Sequence, residues 1–174
     1  MKRLEDYVTD IPDFPEEGII FRDITTVLQD SDGFSLAIDS FMKMLEGVDF
    51  DVVVGVEARG FTFGSVLAYL LHKPFVMARK PGKLPRKTVS AEYELEYGTD
   101  SVELHADAIK EGQRAVIVDD LIATGGTVEA VASLVEQLGG KVAKIVFLIE
   151  LAGLNGRARL SSYDIGAAIV YEGK

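Results

Sequence analysis

The chain of 174 residues is 48% hydrophobic, enough for one sizeable core but too short for two, which predicts a single domain over residues 1–174. With 28 acidic against 18 basic side chains, a net charge of −10 and a pI near 4.7, its mean field repels polyphosphates; this argues against a nucleic-acid or anionic-membrane surface, and any phosphate site must be locally basic. The lack of cysteine excludes disulfides, thiolate metal sites and a cysteine nucleophile, and the charge-interrupted start from Met1 to Asp10 predicts neither signal peptide nor membrane anchor, so a soluble cytoplasmic protein is expected.

In chain order, Phe34, Ala37, Ile38, Phe41 and Leu45 recur at helical spacing and predict a helix over 34–45 capped by Asp32. The β-branched run at 51–56 suits a strand buried on both faces. A helix over 60–71 and a strand over 74–78 follow. Residues 80–98 are rich in proline, glycine and charge and carry no helical apolar stripe, so they are expected to form a long mobile loop, the kind that is usually functional. The strand, helix, strand order then returns at 114–118, 128–138 and 142–149, with Gly139 and Gly140 ending the helix. A last strand is expected at 165–171. Two such units with short connections predict a three-layer α/β fold: a mostly parallel central sheet with right-handed crossover helices on both faces.

The most informative segment is Val118-Asp119-Asp120-Leu121-Ile122-Ala123-Thr124-Gly125-Gly126-Thr127, placed where a buried strand ends and a helix begins. Ligands of open α/β sheets bind at such carboxyl ends. Gly125 and Gly126 allow a phosphate to approach the backbone closely. The unpaired N–H groups of the helix start, with the hydroxyls of Thr124 and Thr127, make an anion cradle. It is not a Walker loop, since the Gly-Lys-Ser/Thr ending is missing. Two acids just before an anion cradle make sense if the ligand also presents hydroxyls: Asp119 and Asp120 can accept from the vicinal diol of a ribose whose 5′-phosphate lies in the cradle. Consecutive strand residues face opposite ways, so either the chain bends here or one of the two is structural.

This segment resembles the phosphoribosyl pyrophosphate signature of type I phosphoribosyltransferases, and other segments resemble the adenine-using branch of that family. Asp13-Phe14-Pro15 and Gly18-Ile19-Ile20-Phe21-Arg22-Asp23-Ile24 look like its N-terminal base-binding arm. By that resemblance Phe21 stacks on adenine, the Ile20 carbonyl and Arg22 amide read its amino group and ring nitrogen, and Leu151 covers the other face; taken without the surrounding pattern, Phe21 reads better as core. Glu57-Ala58-Arg59-Gly60-Phe61 resembles the pyrophosphate loop, with a cis peptide expected between Glu57 and Ala58. Arg59, Arg79, Lys80 and Lys83 are then the pyrophosphate cations, Arg79 reaching across the interface of a homodimer; a basic run such as Lys80, Arg86 and Lys87 also fits a solvated loop. Residues 92–98 resemble the catalytic loop, in which Glu96 meets the base as its ring nitrogen loses a proton and Tyr97 positions leaving pyrophosphate, whereas Glu92 and Glu94 read as solvated.

The resemblance implies an enzyme that joins adenine to phosphoribosyl pyrophosphate, giving AMP and pyrophosphate. Mg2+ is expected to arrive on pyrophosphate and ribose oxygens, because the sequence shows no cluster with metal-ligand spacing. His72 and His105 receive no role. Alternatives are an enzyme for hypoxanthine, guanine or xanthine, and a non-catalytic phosphoribosyl pyrophosphate sensor, which would need a nucleic-acid surface that this acidic chain does not offer.

Overall fold

A computed structural model describes residues 1–95 and 97–173. The chain opens with a 3-10 turn, Leu4–Tyr7, and an antiparallel hairpin of β1 (Thr9–Pro12) and β2 (Ile20–Asp23). Helices α1 (Thr25–Leu28) and α2 (Ser31–Met44) lead into β3 (Val52–Val56), α3 (Gly60–Leu70) and β4 (Phe75–Ala78). Then come β5 (Thr88–Glu94), β6 (Thr99–His105), β7 (Arg114–Ile122), α4 (Gly126–Gln137) and β8 (Lys141–Leu151). A 3-10 turn (Ala152–Leu154), the short helix α5 (Gly156–Arg159) and β9 (Ile165–Tyr171) complete the order.

The central sheet has the order β4-β3-β7-β8-β9, and each of its pairings is parallel. Every residue of β3 is buried, as its unbroken apolar run predicts, because helices cover both faces. Alternate residues serve the two sides. Val52, Val54, Val56, Ile117 and Phe147 pack with α4, and Val53, Val116, Val118 and Leu148 pack with α2 and α3.

The sequence-based expectation needs correction in three places. The cap of α2 is Asp30, whose carboxylate accepts from the amides of Asp32 and Gly33; Asp32 lies inside the first turn. β7 does not stop at Val118 but runs on to Ile122. Residues 80–98 are not one mobile loop: β5 and β6 form a regular antiparallel hairpin that buries Tyr93, Val102 and Leu104 in the core shared with α4. Its outward positions are Ser90, Glu92 and Glu94, and their polarity masks an alternation whose inward members are Val89, Ala91 and Tyr93.

Candidate active site

The sheet order itself places the site. From β3 the chain crosses through α3 to β4 on one side, and from β7 it crosses through α4 to β8 on the other. Right-handed crossovers running in opposite directions put α3 and α4 on opposite faces, leaving a crevice between β3 and β7 at their carboxyl ends, where ligands of open α/β sheets bind. Pairing between these strands is last registered at Gly55↔Val118, so the final stretch of β7, carrying Asp119 and Asp120, overhangs its neighbour. Gly60 at the start of α3 allows this fit: a Cβ there would come within 2.7 Å of the Val118 carbonyl and 3.1 Å of Asp119 Oδ1.

Beyond β7, residues Ala123, Thr124, Gly125, Gly126 and Thr127 line a hollow of about 100 Å³. Gly125 is the N-cap of α4, with φ of 87° and no side-chain cap on the helix. A residue with a Cβ would be strained in that backbone conformation. The leading amides of a helix of three turns are thus free to bind an anion, and the helix dipole favours one.

Asp119 and Asp120 both line a second cavity of about 320 Å³, together with Glu57, Arg59, Lys80, Tyr93 and Thr127. The two hollows share Asp119 and Thr127. The alternatives left open by the sequence meet here: the strand continues through both acids, yet both reach one cavity, because it lies at the free end of β7 rather than over one face. Asp120 is 7% exposed, and its Oδ2 accepts from Arg59 Nε at 2.5 Å. Asp119 Oδ1 accepts the Asp120 amide at 2.8 Å. Burial, reinforced by the neighbouring charge of Asp120, pushes the Asp119 carboxyl well above its ordinary range.

Two of the cations expected at this site meet at Glu57, Arg79 through its guanidinium and Lys80 through its backbone amide. Glu57 Oε2 accepts the Lys80 amide at 2.9 Å and Arg79 Nε at 3.3 Å, while Arg79 Nη1 donates to the Lys83 carbonyl at 3.4 Å. Burial raises the Glu57 pKa, but the Lys80 amide and the Arg79 guanidinium outweigh it and hold the group below its usual value. Arg79 therefore faces its own chain. Lys80 Nζ donates to Tyr93 Oη at 2.7 Å and to Asp100, which ties the second cation after β4 to the hairpin. The Glu57–Ala58 peptide is cis. Tyr97 lies at the hairpin tip, 87% exposed, beside the bond from the Leu95 amide to the Gly98 carbonyl. Glu96 lies outside the described residues.

The arm is set at the same end of the sheet. Arg22 stacks its guanidinium on Tyr171 at 3.9 Å and pairs with Asp10 at 2.5 Å, and Tyr171 is the register partner of Leu151. The Ile20 carbonyl and Arg22 amide, two residues apart on β2, point to one edge of that strand. Phe21 makes an edge contact with Phe14, with ring centroids 5.3 Å apart. The Thr25 hydroxyl and amide hold the Asp23 carboxyl below its usual range, and the Arg59 charge adds to them.

Sequence reasoning missed three groups here: Glu57 as the acceptor of the Arg79 guanidinium and the Lys80 amide, Asp100 as the partner of Lys80, and the pair of buried Glu150 with exposed Arg157. Glu57 stood inside a segment already singled out. The other two are pairings whose proximity depends on how the chain folds back.

Residues 31–167 match the sequence profile of the phosphoribosyl transferase domain. The chain belongs to the phosphoribosyltransferase family. Among phosphoribosyltransferases it is 63% identical to the adenine phosphoribosyltransferase of Agathobacter rectalis over 174 residues, with all of both chains covered. The crystal structure of adenine phosphoribosyltransferase from Thermoanaerobacter pseudethanolicus superposes with a TM-score of 0.94 at 56% identity, covering 97% of this chain and 98% of that one. The Saccharomyces cerevisiae enzyme, complexed with adenine and an imino-altritol bisphosphate, superposes at 0.89 with 42% identity, covering 93% and 94%. The three-layer fold expected from the sequence is the fold of these enzymes.

Proposed function

We infer that this phosphoribosyltransferase transfers the phosphoribosyl group of 5-phosphoribosyl 1-pyrophosphate to adenine, giving AMP and pyrophosphate in purine salvage. What carries the reading is the meeting of two hollows at Asp119 and Thr127, one walled by uncapped helix amides and the other by paired carboxylates and Arg59. A ribose 5-phosphate spans such a pair of sites, its phosphate on the amides and its diol on the acids. Full-length identity to adenine phosphoribosyltransferases supports adenine as the base.

In this arrangement adenine N9 forms a bond to C1′ while the bond from C1′ to the pyrophosphate oxygen breaks, and pyrophosphate leaves with the electron pair. Positive charge develops on the ribose, and the acids below it and the cations around the leaving group stabilise that separation. Ala123, Thr124, Gly125, Gly126 and Thr127 hold the 5′-phosphate, and Asp119 and Asp120 orient the diol. Arg59, Lys80 and Lys83 hold pyrophosphate, and Ile20, Phe21, Arg22 and Leu151 hold the base. Glu96 is assigned to the base proton and Tyr97 to the leaving group. Closure of the hairpin tip would exclude water from the reactive sugar.

Mg2+ would neutralise charge on the leaving pyrophosphate. Among the described residues no three His, Asp or Glu side chains are grouped to hold a metal, so the donor set fits an ion that brings ligands of its own, on pyrophosphate and ribose oxygens. The protein is proposed to act in the cytoplasm as a homodimer, with residues 1–174 as one catalytic domain; among the described residues no helix is long and apolar enough to cross a membrane. Exposed Tyr69, Leu70 and Met77 at the end of α3 and on edge strand β4 are apolar surface suited to a second copy. Arg79 would have to leave Glu57 to serve a neighbouring subunit.

The test is pyrophosphate release with each purine in turn. Turnover with adenine far above that with hypoxanthine, guanine or xanthine is expected. Preference for another purine would reassign the base, and binding without release would make the protein a sensor.

A further inference from the structure

The cradle is made of backbone amides, so its geometry depends on whatever fixes residues 123–126 from below. That support is the α5 turn. A Cβ on Gly156 would run into the Ala123 carbonyl oxygen and would stand 2.9 Å from Ile122 Cγ1. From the other direction, a Cβ on Gly125 would lie 3.1 Å from the Gly156 carbonyl. Farther along the turn, Arg159 Nη1 sits 2.9 Å from the position of a Cβ on Gly126. The turn therefore touches the cradle at both ends, and at Gly156 it does so with no room for even a methyl group.

The residue that holds this turn in place is Arg157. Its Nε and Nη2 donate to the two carboxylate oxygens of Glu150 at 3.0 and 2.6 Å, and its Nη1 donates to the Ile165 carbonyl at 3.1 Å. Glu150 is 7% exposed and lies near the end of β8, in register with Ile122 of β7. A planar guanidinium that fills both lone-pair directions of a buried carboxylate fixes orientation as well as distance. The anchor is thus rooted in the strand beside the one that leads into the cradle.

We infer that Arg157 is a positioning residue for the ribose 5-phosphate end of the substrate: gripped by Glu150, it presses Gly156 against Ala123 and Gly125 and so sets the spacing of the anion-binding amides. This rests on residues 123–127 being the 5′-phosphate cradle. The hydrogen bonds of Arg157 run to Glu150 and Ile165 and not to the residues assigned to pyrophosphate, so its loss is expected to act on one end of the substrate only.

The experiment is calorimetric titration of the intact protein with two probes, ribose 5-phosphate and inorganic pyrophosphate. The variants are Arg157→Lys, which keeps the charge without the bidentate fork, and Gly156→Ala, which keeps the ion pair but crowds Ala123. Thermal unfolding confirms that each is folded. Both variants should lose ribose 5-phosphate affinity by roughly tenfold or more, since small misplacements of preorganised groups are costly, while pyrophosphate affinity stays within about twofold, as for an independent site. A parallel loss for both probes, or none for ribose 5-phosphate, overturns the positioning role. If the unaltered protein itself fails to bind ribose 5-phosphate, the cradle assignment falls first and this inference with it.

Discussion

Asp119, half-buried at the end of β7, holds a proton more tightly than an ordinary carboxyl because its carboxyl is desolvated and stands beside a second acid. On folding, a group with a raised pKa takes up protons at pH values between about 3.9, its unfolded value, and the raised one, so stability falls as pH rises through that window and then levels off. Asp119→Asn removes this loss while keeping an oxygen for the Asp120 amide. Its unfolding temperature in the absence of substrate should exceed that of the unaltered protein at pH 7, and the gap should close towards pH 4 and below. Equal melting curves at both pH values would mean that Asp119 is not strained by its surroundings. The same change replaces a carboxyl acceptor of the ribose diol by an amide, and with hydrogen bonds to charged groups worth about 1.5–3 kcal/mol, kcat/KM should fall by up to roughly 10–100-fold. Phe21 is half-buried and belongs to neither core cluster, so the core reading falls away and stacking on the base is the one to test. Stacking on a base is worth about 1–3 kcal/mol, so Phe21→Ala should raise KM for adenine by roughly fivefold or more and leave that for phosphoribosyl pyrophosphate unchanged.

At the scale of elements, the β5–β6 hairpin separates two views of residues 80–98. Leu104 is fully buried and packs in the cluster built around α4, so Leu104→Ala should cost about 2–5 kcal/mol in urea unfolding. A residue in a mobile loop would shift stability by less than about 0.5 kcal/mol. Why the hairpin was hidden while β3 was plain is a matter of what each strand faces. Val52 to Val56 is covered on both sides and is apolar throughout, whereas β5 and β6 have one solvated face whose charges break the run. The acids of β7 and the glycines of the cradle were legible because a phosphate-binding turn needs particular residue types at fixed spacing. Glu150 with Arg157, and Lys80 with Asp100, were not, since the first depends on how the turn after β8 folds α5 back and the second on the β5–β6 hairpin. The cap of α2 fell to Asp30 rather than Asp32 because two acids flank Ser31 and only backbone geometry chooses between them.

For the molecule as a whole the problem is electrostatic: a chain with a net charge of −10 must take up a polyanion. The cations Arg59, Arg79, Lys80 and Lys83 are matched around the site by Glu57, Asp100, Asp119 and Asp120. Two of the closest pairings, Arg59 with Asp120 and Lys80 with Asp100, occupy cations that the substrate needs. The resting site is therefore close to neutral, and the long-range field felt by an approaching pyrophosphate is that of the acidic whole. Raising ionic strength from about 0.01 to 0.1 M shortens the Debye length from roughly 30 to 10 Å. Repulsion summed over the molecule is screened strongly, while contacts below 4 Å in a partly buried crevice are screened much less. The association rate for phosphoribosyl pyrophosphate, followed by stopped flow at fixed Mg2+, should hold level or rise across that range. A steep fall would show that the local cations steer the substrate despite their carboxylate partners, and that the pairs open before it arrives rather than being displaced by it.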